Sequence, residues 1–205
     1  EPFQAVAKTR ALLRNRSFCT AVVSGITAYL AMSFVMTSTP ISMHHTYGHS
    51  LIETKWVIQS HIAAMFLPAF IAPLLSKKVG IRGMMLLGLS CYAATIVVGA
   101  FDTSVSGFWL QLVLLGVGWS FLFIGGTTLL PLTHAPKDSF KAQAVNDSAV
   151  FGCAAIAAFS SGWAINVLPW QHITLLCGLP ISIMLATLLW ERIAFNLDTD
   201  HQEPE

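Results

Sequence analysis

Asp147 is the one acidic side chain placed to enter a long apolar stretch, and Asn146 stands directly before it. An ionisable group at membrane depth is expensive, and where one occurs it marks an ion pathway, a proton relay or a gate. The same pair also reads as a helix start, with Asn146 as the cap and Asp147 favoured by the positive end of the helix dipole. The two readings are compatible, since an inner gate can use such a residue. His61 offers a group that titrates near neutral pH, suited to carrying a proton or touching a solute; the competing reading is a histidine hydrogen-bonded to a neighbouring helix. Gln59 lies about 200° from His61 on a helix, so the two cannot face one cavity. Trp119 and Phe123 are one turn apart and could form an aromatic wall, or simply a packing face. Thr127, a further turn on, adds a hydroxyl.

Other chemistry finds less support. His44, His45 and His49 are a donor set for zinc or copper without a fixed fourth ligand, so a solvated loop is the default. Phe159-Ser-Ser-Gly162 lacks the leading glycine that an intramembrane serine protease needs, and paired membrane aspartates are not present. No nucleophile and base converge, so no catalytic residue, metal or cofactor is expected. The glycines of Gly116–Gly126 read as close helix contacts, because no lysine follows to make a phosphate loop. Ala154, Ala158 and Gly162 read as a small-residue packing ridge on one helix.

The elements holding these residues follow from composition. Of 205 residues, 55% are apolar and only 10% charged, against about 25% charged in a soluble domain. This describes an all-α, polytopic membrane protein. The net charge of +1 and the scatter of the cations give no nucleic-acid face. The cysteines (Cys19, Cys91, Cys153, Cys177) sit singly in apolar stretches and read as small core residues. Six spans are predicted: Phe18–Pro40, Ile52–Leu75, Ile81–Phe101, Gly107–Leu130, Ala144–Val167 and Trp170–Trp190. The last two come from Ser148–Trp190, which carries no charge. As one helix it would run about 65 Å, twice the bilayer core, so it must turn at Asn166-Val-Leu-Pro-Trp-Gln-His172. Residues 1–16 form a basic interfacial segment, 17–192 the membrane domain and 193–205 a polar, disordered tail.

Between the second and third spans lies Pro73-Leu-Leu-Ser-Lys-Lys-Val-Gly-Ile-Arg-Gly83, with Gly80 free to make a sharp turn. With both termini in the cytoplasm, the inner segments hold Lys8, Arg10, Arg14, Arg16, Lys77, Lys78, Arg82, Lys137, Lys141 and Arg192, and the outer ones only Lys55. The excess of cations fixes that orientation. Trp56, Trp109, Trp163, Trp170 and Trp190 fall near span ends, as interfacial aromatics do; Trp119 falls in mid-span.

This hinge resembles the loop G-x-L-a-D-r-x-G-r-k of major facilitator superfamily transporters, in the degenerate form of a C-terminal half: Pro73 replaces the first glycine and Lys77 the acid. The stretches Thr37-Ser-Thr-Pro-Ile-Ser-Met43, Val57-Ile-Gln-Ser-His61, Gly116–Thr128 and Gln143-Ala-Val-Asn-Asp147 are also similar to a branch of such permeases. The resemblance implies a six-helix half with a 3+3 inverted repeat, echoed by Met32–Pro40 and Trp119–Pro131. It implies that the first, second, fourth and fifth helices line the cavity or meet the other half, while the third and sixth face lipid. It further implies a bacterial inner-membrane protein that moves a small solute by alternating access, with a six-helix N-terminal half as partner. Protons as the coupling ion rest on Asp147 and His61. Gln59, His61, Trp119, Phe123, Thr127, Asn146 and Asp147 are the candidate site residues, and Lys77, Lys78, Gly80 and Arg82 the candidate gating loop. A six-helix solute-capture subunit of a vitamin uptake complex is the rival reading.

Overall fold

The structure is a computed structural model describing the backbone of residues 12–200 and the side chains of residues 12–193. The described backbone is helical throughout, connected by short turns. α1 spans Arg16–Ile41, α2 Leu51–Phe66, α3 Ala72–Phe101, α4 Val105–Leu129, α5 Ser139–Val167, α6 Trp170–Leu176 and α7 Gly178–Asp200. Local chemistry sets the ends. Asn15 caps α1 by accepting from the Phe18 amide, and Ser104 caps α4 by accepting from the Gly107 amide. Ser50 and Glu53 form a reciprocal capping box at the start of α2, satisfying two of the orphan donors of a helix N-terminus.

Five stretches are long and apolar enough to cross a membrane: Arg16–Thr46, Ala72–Phe101, Val105–Thr133, Pro136–Val167 and Trp170–Ile193. The expected second span differs from this set. Its α-helix stops at Phe66, a 3-10 turn carries Leu67–Phe70, and the chain re-enters a helix at Ala72. Pro68 and Pro73 explain the break, since each lacks an N–H and crowds the preceding turn. The expected turn is nevertheless present inside α3, where Gly80 has φ 75° and ψ 168°. A side chain rarely adopts that left-handed backbone, so the first turns of α3 and the Ile81–Phe101 stretch are two rods joined at this residue.

Other expectations are corrected. α5 begins at Ser139, so Asn146 and Asp147 lie about two turns inside the helix and Asn146 is not its cap. α7 continues to Asp200, so a disordered tail does not begin at 193. Trp170 is buried against Phe108, with ring centroids 5.0 Å apart, instead of sitting at an interface. The Ala154, Ala158 and Gly162 ridge has no packing partner at Gly162, where an added Cβ meets nothing within 4 Å. Of the basic segment expected over residues 1–16, residues 1–11 lie outside the described part. The turn expected within Asn166–His172 is present, between Val167 and Trp170.

α4 is the axis of the bundle. A Cβ at Gly116 would press on the His61 carbonyl in α2, one at Gly118 on Tyr92 and the Gly88 carbonyl in α3, and one at Gly126 on the Ala21 carbonyl in α1. Missing side chains therefore let three helices approach one, which in an apolar solvent is a main source of helix association. Hydrogen bonds tie these helices together. Ser24 donates to the Leu122 carbonyl at 2.7 Å, and Tyr92 donates to the Ala28 carbonyl at 2.7 Å. Thr27 donates to the Pro180 carbonyl at 3.3 Å, joining α1 to α7. α5 packs on α1, and its outer face is left bare.

One end of the bundle collects the cations. Asn15 donates to the Thr133 carbonyl at 2.8 Å, bringing the start of α1 to the α4–α5 connection. Arg82, just past the Gly80 turn, donates from Nε to Glu191 at 2.9 Å and from Nη2 to the same carboxylate at 2.5 Å. Ser17 donates to Glu191 as well. Glu191 is only 6% exposed, so this fork satisfies a carboxylate that would otherwise be buried unpaired. Lys77 and Lys78, before the Gly80 turn, are exposed.

Candidate solute-facing site at mid-bundle

Four helices bring aromatic rings to one level. Tyr29 stands in the middle of α1, Phe66 at the end of α2, Trp119 and Phe123 in α4, and Phe151 in α5. Each lies about 13–18 residues along its stretch, roughly 20 Å from a helix end and so near the middle of a bilayer core. Trp119 and Phe123 stack at 4.9 Å with an interplanar angle of 16°, as the one-turn spacing allows. Tyr29 meets Trp119, Phe123 and Phe151 edge-on at 5.4, 5.5 and 5.3 Å. Phe66 meets Trp119 edge-on at 6.3 Å. These are the separations at which aromatic quadrupoles attract.

The cluster is asymmetric in burial. Trp119 is 6% exposed, whereas Phe66 and Phe151 are 60% and 55% exposed. Trp119 is thus packed, Tyr29 and Phe123 are half-buried, and Phe66 and Phe151 stand open. Trp119 also keeps a polar atom in reserve: its indole N–H has no hydrogen-bond partner among the described residues. A buried donor of that kind is costly until something accepts from it.

Asp147 lies one helical turn before Phe151. Gln143 donates to its carboxylate at 2.7 Å and Asn146 at 3.0 Å. Asn146, half-buried, has its amide oxygen close to Gly25 of α1. Thr127 is exposed, and its hydroxyl donates back to the Phe123 carbonyl at 2.9 Å. Gln59 is exposed on α2.

His61 goes elsewhere. It is fully buried, and Nδ1 donates to the Leu112 carbonyl of α4 at 2.7 Å. Gln59 faces out and His61 faces in, as their angular separation requires. The outer-loop histidines use ring nitrogens on the chain's own carbonyls: His44 on His49 at 3.0 Å, and His49 on Thr103 at 2.9 Å. Among the described residues no three His, Cys, Asp or Glu side chains converge on a possible metal position.

Sequence reasoning found the Trp119–Phe123 pair but missed Tyr29, Phe66, Phe151 and Glu191. Mid-span depth was the available signal for the first three. A tyrosine in the centre of an apolar span is out of its usual interfacial place.

Comparison with known proteins decides the family. The major facilitator superfamily model matches residues 21–204. The chain belongs to the major facilitator superfamily. That family comprises membrane transporters rather than enzymes, and with its apolar helices the chain is a multi-pass membrane protein. It is 37% identical over 180 residues to the riboflavin transporter RfnT of Brucella anthropi, covering 87% of this chain and 44% of that protein. It is 42% identical over 124 residues to the uncharacterized MFS-type transporter YddS of Bacillus subtilis, covering 60% of this chain and 28% of YddS. YdeG, another uncharacterized MFS-type transporter of Bacillus subtilis, is 28% identical over 165 residues, covering 80% of this chain and 38% of YdeG. The chain thus spans less than half the length of these relatives.

Proposed function

We propose that the chain is the C-terminal half of a secondary transporter of the bacterial inner membrane, and that its mid-bundle aromatic face receives a small solute carrying a flat ring. The observation that carries this reading is the cluster itself: rings from α1, α2, α4 and α5 at one depth, two of them open, with an unpartnered indole donor behind them. Other rings on this surface are equally exposed, Phe159 at 85% among them; Phe66 and Phe151 differ in that each meets an inner ring edge-on. A planar heteroaromatic solute would stack on Phe66 or Phe151 and accept from Trp119, gaining area and a hydrogen bond together. Riboflavin, the solute in the name of the RfnT relative, has such a ring system and is the first solute to test.

In this reading α2, the 3-10 turn and the first turns of α3 make the second of six crossings, with Gly80 as the cytoplasmic turn. Two packing relations support a 3+3 inverted repeat. α1 packs on α5 as α4 packs on α2, and both central helices meet each other; these pairs exchange when the first three spans are superposed on the last three. The cation-bearing end faces the cytoplasm, placing both termini there. The bare faces of α2 and α5 meet an N-terminal six-helix half, and the two halves rock about the aromatic level in alternating access. Asp147, one turn inward of Phe151, is the coupling carboxylate for protons; His61 acts in packing.

Uptake by the full-length transporter in proteoliposomes tests this. Riboflavin should be accumulated under an inward proton gradient, and competing flat heteroaromatic compounds should slow it while sugars do not. Asp147→Asn should abolish gradient-driven accumulation and spare solute exchange at equal pH. Gradient-driven uptake unchanged by this substitution would remove Asp147 from coupling. Absence of riboflavin binding would remove riboflavin, and indifference to every flat-ring competitor would remove the solute class. Thiol labelling supplies the orientation: a cysteine at Ser104 should react from outside and one at Ser76 from inside, and the reverse would overturn it.

A further inference from the structure

The start of α1, the part of α3 just past the Gly80 turn and the Leu185–Arg192 part of α7 enclose an open groove of about 810 Å³. Its floor is the Arg82–Glu191 pair, which is internally satisfied. Arg14 and Arg192 stand exposed at its rim with no acidic partner among the described residues. Arg16 lies over the Trp190 ring at 5.2 Å, which holds a guanidinium at the level where indoles mark the membrane interface. The groove then changes character. Leu86, Leu185 and Leu189 line its other part, each roughly 40–50% exposed, and they continue into the apolar sides of α3 and α7. Charge at one end and aliphatic wall at the other, at the depth of a headgroup, match one kind of molecule.

We propose that this groove is a binding site for an anionic phospholipid of the cytoplasmic leaflet. Arg14 and Arg192 take the phosphate through their positive charge, with Arg16 steadied by Trp190 beside them. The acyl chains run along Leu86, Leu185 and Leu189. The site sits at the junction of the Gly80 turn and the ends of the first and last helices, so an occupied groove braces the connection that Arg82 and Glu191 make. It is independent of the solute, because none of its residues belongs to the mid-bundle cluster.

Native mass spectrometry of the purified full-length protein, after delipidation and titration with lipid in detergent, tests the proposal. Phosphatidylglycerol should be retained well above phosphatidylcholine. The Arg14→Gln/Arg192→Gln double variant should lose affinity for phosphatidylglycerol by roughly 30-fold, from the contribution of two surface cations. Arg14→Lys/Arg192→Lys, which perturbs packing similarly and keeps the charge, should retain most of the affinity. A Leu189→Glu variant should lose the lipid while still binding inorganic phosphate weakly. Equal retention of the two lipids, equal loss in the Gln and Lys variants, or displacement of the lipid by millimolar phosphate alone would each overturn it.

Discussion

α4 and α5 are built from similar materials, and the fold treats them oppositely. Both are long apolar helices with internal glycines and mid-span aromatic rings. In α4, 61% of the apolar stretch is buried; in α5, 22%. The glycines of α4 hold neighbouring backbones close, with the Gly88 carbonyl 3.0 Å from where a Gly118 Cβ would stand. Around Gly152 and Gly162 of α5 an added Cβ meets nothing within 4 Å. The aromatic rings divide likewise: Trp119 is packed and Phe151 is open. Composition alone therefore cannot distinguish a helix at the centre of a bundle from one that keeps a face for a solute or a second half. What separates them is whether three neighbours or one demand the small residue.

The largest effect should come from breaking the centre. Gly118→Leu drives a branched side chain into Tyr92 and the α3 backbone, and overpacking of this kind costs about 3 kcal/mol or more. The expected outcome is loss of monodisperse protein on size exclusion, or a strongly lowered thermal midpoint in detergent. A wild-type midpoint would show that α3 and α4 are not in contact at this level. Next comes the open face, where Phe66→Ala should leave the midpoint nearly unchanged, because 60% of that side chain is exposed. Riboflavin affinity should fall by about tenfold, the equivalent of one aromatic contact of about 1.4 kcal/mol. Equal losses of stability and affinity would make Phe66 a packing residue and erase the contrast. The smallest effect belongs to Gly162→Ala. With open space around it the new methyl should raise stability by about 0.5–1 kcal/mol through helix propensity. A clear destabilisation of the isolated chain would mean that α5 has a partner at this position.

Much of this architecture could be read from the chain without coordinates. Charge-free lengths, basic turns and the glycine at the Lys77–Arg82 hinge specify helices, their order and the turn at Gly80, because desolvation of charge and of backbone is the dominant constraint in lipid. The break at Phe66 was half legible: Pro68 and Pro73 were in view, but whether a proline kinks or ends a helix depends on what its neighbours can satisfy. The start of α5 at Ser139 is hard to read because Asn146-Asp147 has the chemistry of a cap, whereas Asp138, which stands at the actual cap position, makes no side-chain capping hydrogen bond. The aromatic level was legible only within α4, where Trp119 and Phe123 share a helix. Tyr29, Phe66 and Phe151 join them through tertiary packing, which a linear pattern of apolar residues does not encode. The Arg82–Glu191 fork, 109 positions apart in the chain, was hidden for the same reason.

The reading rests on the open face being wet and solute-facing instead of lipid-facing, and Phe151 reports on it most directly. In a full-length protein freed of Cys19, Cys91, Cys153 and Cys177, a Phe151→Cys variant should react with a membrane-impermeant thiol reagent, and saturating riboflavin should slow that reaction several-fold. A cysteine that is silent to the impermeant reagent but modified by a lipid-soluble one would place Phe151 against the bilayer and contradict the account.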